Sequence, residues 1–174
     1  MPMADRRIRA MIESDLEQVL SWRNHPDIRE NMFTRQEISQ SEHQAWFTGL
    51  QRDPLRCALL YEEDGLPLGV ITLRRLQGMS VAEWGFYRDP GAPKGTGFPM
   101  GVLALDHAFK FLGLHKVYGE VIGSNVASIG FHRRLGFLQE GLLRDHFETN
   151  GCYEDVLCFG ILAEEWKSMR EQKL

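Results

Sequence analysis

The sequence predicts an α/β chain built on a mixed, mostly antiparallel central sheet flanked by helices. Three observations carry that expectation. Between Leu55 and Arg88 three strand-like runs follow one another through turns at Glu62-Glu63-Asp64-Gly65 and Gln77-Gly78, the pattern of an antiparallel meander. After Arg88 the apolar period lengthens to helical spacing, so a crossover interrupts the sheet in its middle. Near the end two long strand-like runs meet at Asn150-Gly151, the strongest short hairpin signal. The expected order is β-αα-βββ-α-β-α-ββ.

Arg7 to Ile12 reads as a short first strand. Ser14-Asp15-Leu16-Glu17 has the spacing of a capping box, with Leu16, Val19, Leu20 and Arg23 following on one helical stripe. Asn24-His25-Pro26 stops that helix, because proline disfavours helical geometry in the residue before it. Ser39-Gln40-Ser41-Glu42 is a second capping box, whose helix carries His43, Trp46, Phe47 and Leu50 on one face. Strands are expected over Leu55 to Tyr61, Leu68 to Leu73 and Ser80 to Arg88. In the third, Ala82, Trp84 and Phe86 face one way and Glu83, Gly85 and Tyr87 the other. A helix from about Phe98 to Leu112, a strand over Lys116 to Ile122 and a helix over Asn125 to Leu135 follow. Gly136 ends that helix as a left-handed cap. Leu138 to Glu148 and Tyr153 to Leu162 close the sheet, and a terminal helix begins at Ala163.

At 174 residues the chain fits one domain, placed at residues 5 to 170. Its 43% hydrophobic and 25% charged residues exclude disorder as the main state. No apolar run approaches the roughly 20 residues of a membrane span, and Met1 to Ile12 lacks a signal core. Three cysteines, Cys57, Cys152 and Cys158, form no even framework. Reduced thiols and a cytoplasmic location are the expectation. The net charge of −4 argues against a broad nucleic-acid surface, yet leaves room for a small anion at one basic spot. Six scattered histidines without ligand spacing point to no metal.

Two segments carry chemistry. Lys94-Gly95-Thr96-Gly97-Phe98 lies between a strand and a helix start. Two glycines let backbone approach a bulky group, and the free N–H groups of a helix N-terminus favour an anion such as a pyrophosphate. A plain turn has the same residues, so the loop alone does not decide between them. It is neither a P-loop nor a dinucleotide fingerprint. The second segment runs from Asn125 to Phe137. Asn125 and Ser128 sit one turn apart, and Asn125 caps the helix whether or not it also faces a ligand. Arg133 and Arg134 are adjacent and diverge by about 100°, so they do not converge on one ligand.

This pair of motifs, Lys94-Gly95-Thr96-Gly97 and Asn125-x2-Ser128-x7-Gly136-Phe137, resembles the GNAT superfamily of N-acetyltransferases over nearly the whole chain. The resemblance implies that superfamily's fold and acetyl-CoA as donor. It implies that the pantetheine arm lies in a splay after the Trp84-Gly85-Phe86-Tyr87 strand, bonded to backbone at Phe86 and Tyr87. Amides from Lys94 to Phe98 would hold the pyrophosphate, Asn125, Ser128 and Phe131 would line the arm, and Arg134 belongs to the same cofactor surface. Two positions depart from the superfamily pattern. Ala92 stands where Gln or Arg is preferred, and His132 stands where a tyrosine often protonates the leaving thiolate. Histidine is chemically able to do so, and an alternative is that His132 only packs or orients.

A narrower resemblance rests on Ser21-Trp22-Arg23-Asn24, Glu30-Asn31-Met32-Phe33, the His43 to Phe47 stripe, and the closing Glu140 to His146 with Asn150 to Val156. It is to the family that acetylates the 4-amine of a UDP-linked aminodideoxy sugar in pseudaminic acid biosynthesis. That implies a nucleotide-sugar acceptor. Arg23, His43, Arg74 and Arg75 are the basic groups available to the diphosphate, with a helix-end salt bridge as the alternative for Arg23 and core packing for His43; Met32, Phe33 and Trp46 would meet the 6-deoxy methyl group, with ordinary core the alternative for Trp46. Glu120, a carboxylate on an otherwise apolar or small strand, is the candidate base; a structural ion pair is the alternative. A ribosomal-protein N-terminus or a polyamine is the other acceptor, and a non-catalytic acyl-CoA-binding module the third reading. A homodimer is compatible with all three, and no nucleic acid or membrane partner is expected.

Overall fold

The computed structural model describes residues 4–173. Seven strands form one sheet in the order β1-β2-β3-β4-β5-β7-β6. They are β1 (Arg6–Ala10), β2 (Arg56–Glu63), β3 (Leu66–Arg75), β4 (Val81–Arg88), β5 (Lys116–Ile122), β6 (Leu138–Thr149) and β7 (Cys152–Leu162). All neighbours are antiparallel except β4 and β5, which run parallel. The crossover between those two is α4 (Gly97–Asp106), extended by a π turn over His107–Phe111. The expected fold class and element order are therefore observed. The three-stranded meander and the Asn150-Gly151 hairpin are both present, the latter with φ of 51° and 76°.

Helices α1 (Leu16–Asn24), α2 (Pro26–Arg29) and α3 (Gln40–Arg52) lie over one face of the sheet. There Met11, Val19, Trp22, Phe47, Leu60 and Val70 form a small core. Trp22 is 4% exposed, so it packs rather than presenting a ring to solvent. The opposite face holds the larger core, covered by α4, α5 (Val126–Arg134) and α6 (Ala163–Lys173). Each large apolar side chain buried there contributes about 1.5–3 kcal/mol. Trp166 anchors α6: it is 1% exposed and its Nε1–H donates to Asp106 Oδ1 at 2.9 Å. Among the described residues no helix is long and apolar enough to cross a membrane.

Local chemistry departs from the sequence reading at four places. The Ser14–Glu17 capping box does not form. Asp15 instead accepts from the Ile12 amide at 2.8 Å and from both terminal nitrogens of Arg9 at 2.7 and 2.9 Å. A half-buried charge-assisted pair outcompetes an exposed hydroxyl cap, and the first turn becomes a 3₁₀ turn at Glu13–Asp15. Glu62 and Glu63 are strand, not turn, and the turn is Asp64-Gly65 alone. Glu62 is buried because Arg7 and Arg9 hold its carboxylate, at 2.6 and 2.8 Å. The helix expected over 98–112 widens to a π turn, with the Leu112 amide reaching the His107 carbonyl five residues back. Strand β6 loses its ladder between Leu143 and Phe147, where Asp145 takes a φ of 50° and its amide donates to Asp155. The Ser39–Glu42 box forms as expected, closed in both directions at 3.2 and 2.7 Å.

Candidate active site

The parallel β4–β5 pairing stops at Glu83↔Tyr118. Beyond it the two strands part, and a cavity of about 770 Å³ fills the splay. Backbone parity shows which groups face it. The Asp89 amide donates to Leu68 O, and β3 and β4 are antiparallel with Val70 opposite Tyr87. In such a pair hydrogen-bonding residues alternate, so Tyr87 spends its backbone on β3. Phe86 and Arg88 turn theirs into the splay. The Gly123 amide donates to Asp155 O, so Val121 bonds to β7 and the backbone of Glu120 and Ile122 faces the splay. Of the pair expected to bond a bound arm, Phe86 has the free amide and Tyr87 does not.

The loop before α4 sits at one end of this cavity. Gly95 has a φ of 96°, a conformation that favours glycine. A Cβ at Gly97 would meet Arg88 at 3.5 Å and Phe131 at 3.7 Å, so this glycine lets the loop close on its neighbours. Within the expected run of amide donors, Thr96 N–H is spent on Pro93 O and Phe98 N–H on Gly95 O. Among the described residues the Lys94, Gly95 and Gly97 amides make no hydrogen bond; Gly95 and Gly97 line the cavity at a helix start where an anion is stabilised, whereas Lys94 and Thr96 do not line it. Thr96 is buried, its hydroxyl donating to Pro93 O at 2.8 Å. The Arg134 guanidinium lies 4.3 Å from the Phe98 ring centroid, and both line the cavity. Arg88, beside Gly97, adds a second cation that sequence reading missed. Its only sequence signal is its place as the last residue of a strand that feeds the loop. Two free amides at the cavity wall and two arginines fit a diphosphate.

α5 forms the facing wall. Asn125 caps it by accepting from the Ser128 amide at 3.1 Å, and Asn125, Ser128 and Phe131 all line the cavity as expected. His132 is 2% exposed. Its Nδ1 lies 2.8 Å from the Ser128 carbonyl oxygen, and Trp84 Nε1 lies 3.1 Å from its Nε2. Burial pushes its pKa down, opposed by the Ser128 bond. The ring is neutral at pH 7, and its single proton is committed to a carbonyl. This arrangement favours the packing and orienting alternative over proton donation.

The other end of the cavity opens between α2 and the α1–α3 face of the sheet. Glu120 is exposed there and makes no ion pair or hydrogen bond among the described residues. Glu83 and Asp27 line the same end, neither of them singled out by the sequence. Met32 and Phe33 also line it, and Phe33 stacks edge-on against Phe147 of β6 at 5.4 Å. The proposed diphosphate cations do not converge here. Arg23 is half-buried, donating to Thr34 O at 2.8 Å, and burial lowers its pKa. His43 is 5% exposed and stacked on Trp46 at 5.1 Å; burial lowers its pKa too. Arg74 is held by Glu83, with Nε 3.0 Å from Oε2. Trp46 and Arg74 line a separate recess of about 270 Å³ that adjoins the main cavity along Glu83, Trp84 and Gly85.

Comparisons with known proteins bear on the family and the fold. The model of the acetyltransferase (GNAT) domain matches residues 6–138. The spermidine N(1)-acetyltransferase of Vibrio cholerae is 35% identical over 80 residues, 45% of this chain and 46% of that protein. At the first curated relatives the match spans about half of the relative's length. The acetyltransferase PseH of Campylobacter jejuni is 28% identical over 123 residues, 71% of this chain and 76% of that protein. The crystal structure of the Vibrio cholerae spermidine N-acetyltransferase in complex with CoA and spermine superposes with a TM-score of 0.86. It is 25% identical, and the match covers 93% of this chain and 98% of that one.

Proposed function

The chain belongs to the GNAT acetyltransferase family, and from that premise we propose that it transfers an acetyl group from acetyl-CoA to a primary amine of a small, cationic acceptor. One observation carries the choice of acceptor. The acceptor end of the cavity presents the carboxylates of Glu120 and Asp27, while Glu83 and Arg74 neutralise each other and neither Arg23 nor His43 lines it. Such a surface attracts ammonium groups and repels a diphosphate. The name of the Vibrio cholerae relative and its complex with spermine support the same class.

Bound acetyl-CoA supplies the acyl carbon: a C–N bond forms, the C–S bond breaks, and CoA leaves as the thiol. The Gly95 and Gly97 amides with Arg88 and Arg134 bind its diphosphate. The inward amide of Arg88 binds the arm. The Phe86 amide is the donor available to a carbonyl oxygen gaining charge at the splay. An ammonium must lose a proton before its nitrogen can attack, and Glu120 accepts it, directly or through water. The nitrogen's second proton passes to the departing sulfur, directly or through water.

A nucleotide-linked aminosugar is the second reading. Met32 and Phe33 at the acceptor end, the recess walled by Trp46 and Arg74, and the 28% identity to PseH favour it. Thiol release from acetyl-CoA, measured with spermidine, the UDP-aminosugar and a ribosomal-protein N-terminal peptide, separates these readings. Turnover is expected with spermidine. Turnover with the UDP-sugar alone would overturn the cationic-acceptor reading. Coenzyme binding without turnover on any amine would favour a non-catalytic module.

A further inference from the structure

Trp84 and Gly119 are the first residues of β4 and β5 past the last ladder pair, so they stand at the apex of the splay. His132 of α5 meets them there. Five aromatic rings, those of Trp84, Phe86, Phe131, Phe137 and Phe159, surround its imidazole at centroid distances of 5.4, 5.6, 6.1, 5.0 and 5.1 Å. The Ser128 carbonyl can only accept, so the proton resides on Nδ1 and Nε2 keeps its lone pair. That lone pair receives the Trp84 indole N–H at 3.1 Å. A Cβ on Gly119 would lie 2.9 Å from Trp84 Nε1 and 3.4 Å from His132 Nε2, so β5 runs directly against this bond.

We propose that His132 is a positioning residue: as hydrogen-bond acceptor for Trp84 it ties α5 to β4 where the backbone ladder ends, and so sets the width of the coenzyme cleft. The proposal rests on the acetyltransferase reading for its consequence, though not for its geometry. The chain indole N–H to imidazole to Ser128 carbonyl replaces the interstrand bonds that β4 and β5 cannot make once they part. Phe86 and Phe131, which line the cleft from its two walls, pack at 4.7 Å against each other and on this pair. An unmade bond would leave a buried indole N–H unsatisfied and release one wall from the other.

His132→Gln and His132→Leu test it, because the glutamine carbonyl can reach the Nε2 position and leucine cannot accept. Coenzyme affinity by calorimetry and exchange of the Trp84 indole proton by NMR need no turnover. His132→Leu is expected to weaken acetyl-CoA about five-fold or more and to expose the indole proton to exchange. His132→Gln should restore both, and turnover with them. Trp84→Phe removes the same bond from the donor side. It should cost a similar factor, with no further loss when combined with His132→Leu. The proposal is overturned if His132→Gln turns over as poorly as His132→Leu while both bind coenzyme normally, the signature of a proton donor. It is equally overturned if His132→Leu leaves affinity and indole protection unchanged. A wild-type chain that binds coenzyme and protects the indole but acetylates no amine would refute the activity and leave the clamp standing.

Discussion

Glu120 is a carboxylate at a cavity wall, and among the described residues no side chain pairs with it. Glu120→Gln keeps its shape and removes the basic oxygen. It should lower kcat by about 10²-fold or more and leave acetyl-CoA affinity near wild type, a split that steady-state kinetics and calorimetry together resolve. An equal loss in both would return Glu120 to a structural role. Its position was legible in the sequence because a lone acid on an apolar strand stands out. Asp27 and Glu83 were not legible. Asp27 sits in a four-residue helix with no periodicity to read, and Glu83 gains its meaning from the strand register that sets it against Arg74. The same register removed Arg74 from the acceptor's reach. Arg23 and His43 were correctly placed on inward stripes, but inward here means toward the α1–α3 core rather than the cavity. Glu62 teaches the same point about stability. Glu62→Ala would leave Arg7 and Arg9 short of their shared partner, and should cost about 2 kcal/mol in urea unfolding.

At the scale of elements, the anion loop and the α5 start are where local chemistry decides function. Capping and turn signals depend on a few adjacent residues, which is why the Ser39 box, the Asn125 cap and the Gly136 terminator (φ 90°) were all readable. The failed Ser14 box was not, because its competitor Asp15 is fixed by Arg9, a partner on the first strand. Gly95→Ala forces a side chain into a left-handed loop position and should cost about 1 kcal/mol there. The expected result is a several-fold rise in KM for acetyl-CoA with kcat little changed; a loss confined to kcat would contradict a binding role for the loop. The division of the amides within that loop, three free and two spent on turn bonds, belongs to backbone geometry that no residue pattern encodes.

For the molecule as a whole, the sheet order and its single parallel join follow from alternation, turn residues and one change of period, all properties of the chain read locally. The splay is a consequence of topology: β5 leaves β4 after three paired residues to follow β7, and the cavity exists because of that departure. Acidity should reach the fold through its buried histidines. His43 and His132 are buried and their pKa values are lowered by desolvation. The unfolded chain therefore takes up protons first as pH falls through about 6.5. Folding stability is fully present above that value and declines below it, by up to about 1.4 kcal/mol per histidine for each pH unit until the folded-state pKa is reached. Urea titrations at pH 7.5 and 5.5 should show a lower midpoint at the acid value. Identical midpoints would mean these rings are protonated in place.

Every role proposed for this chain requires that the splay and its loop hold a coenzyme. Amide chemical shifts followed while CoA is added to the labelled protein test that most directly. Saturable shifts are expected at Gly95 and Gly97 and at the inward amides of Phe86 and Arg88, with Thr96 and Tyr87, whose amides are already bonded, moving less. Saturation with shifts gathered elsewhere on the molecule, or no shifts at millimolar CoA, would contradict it.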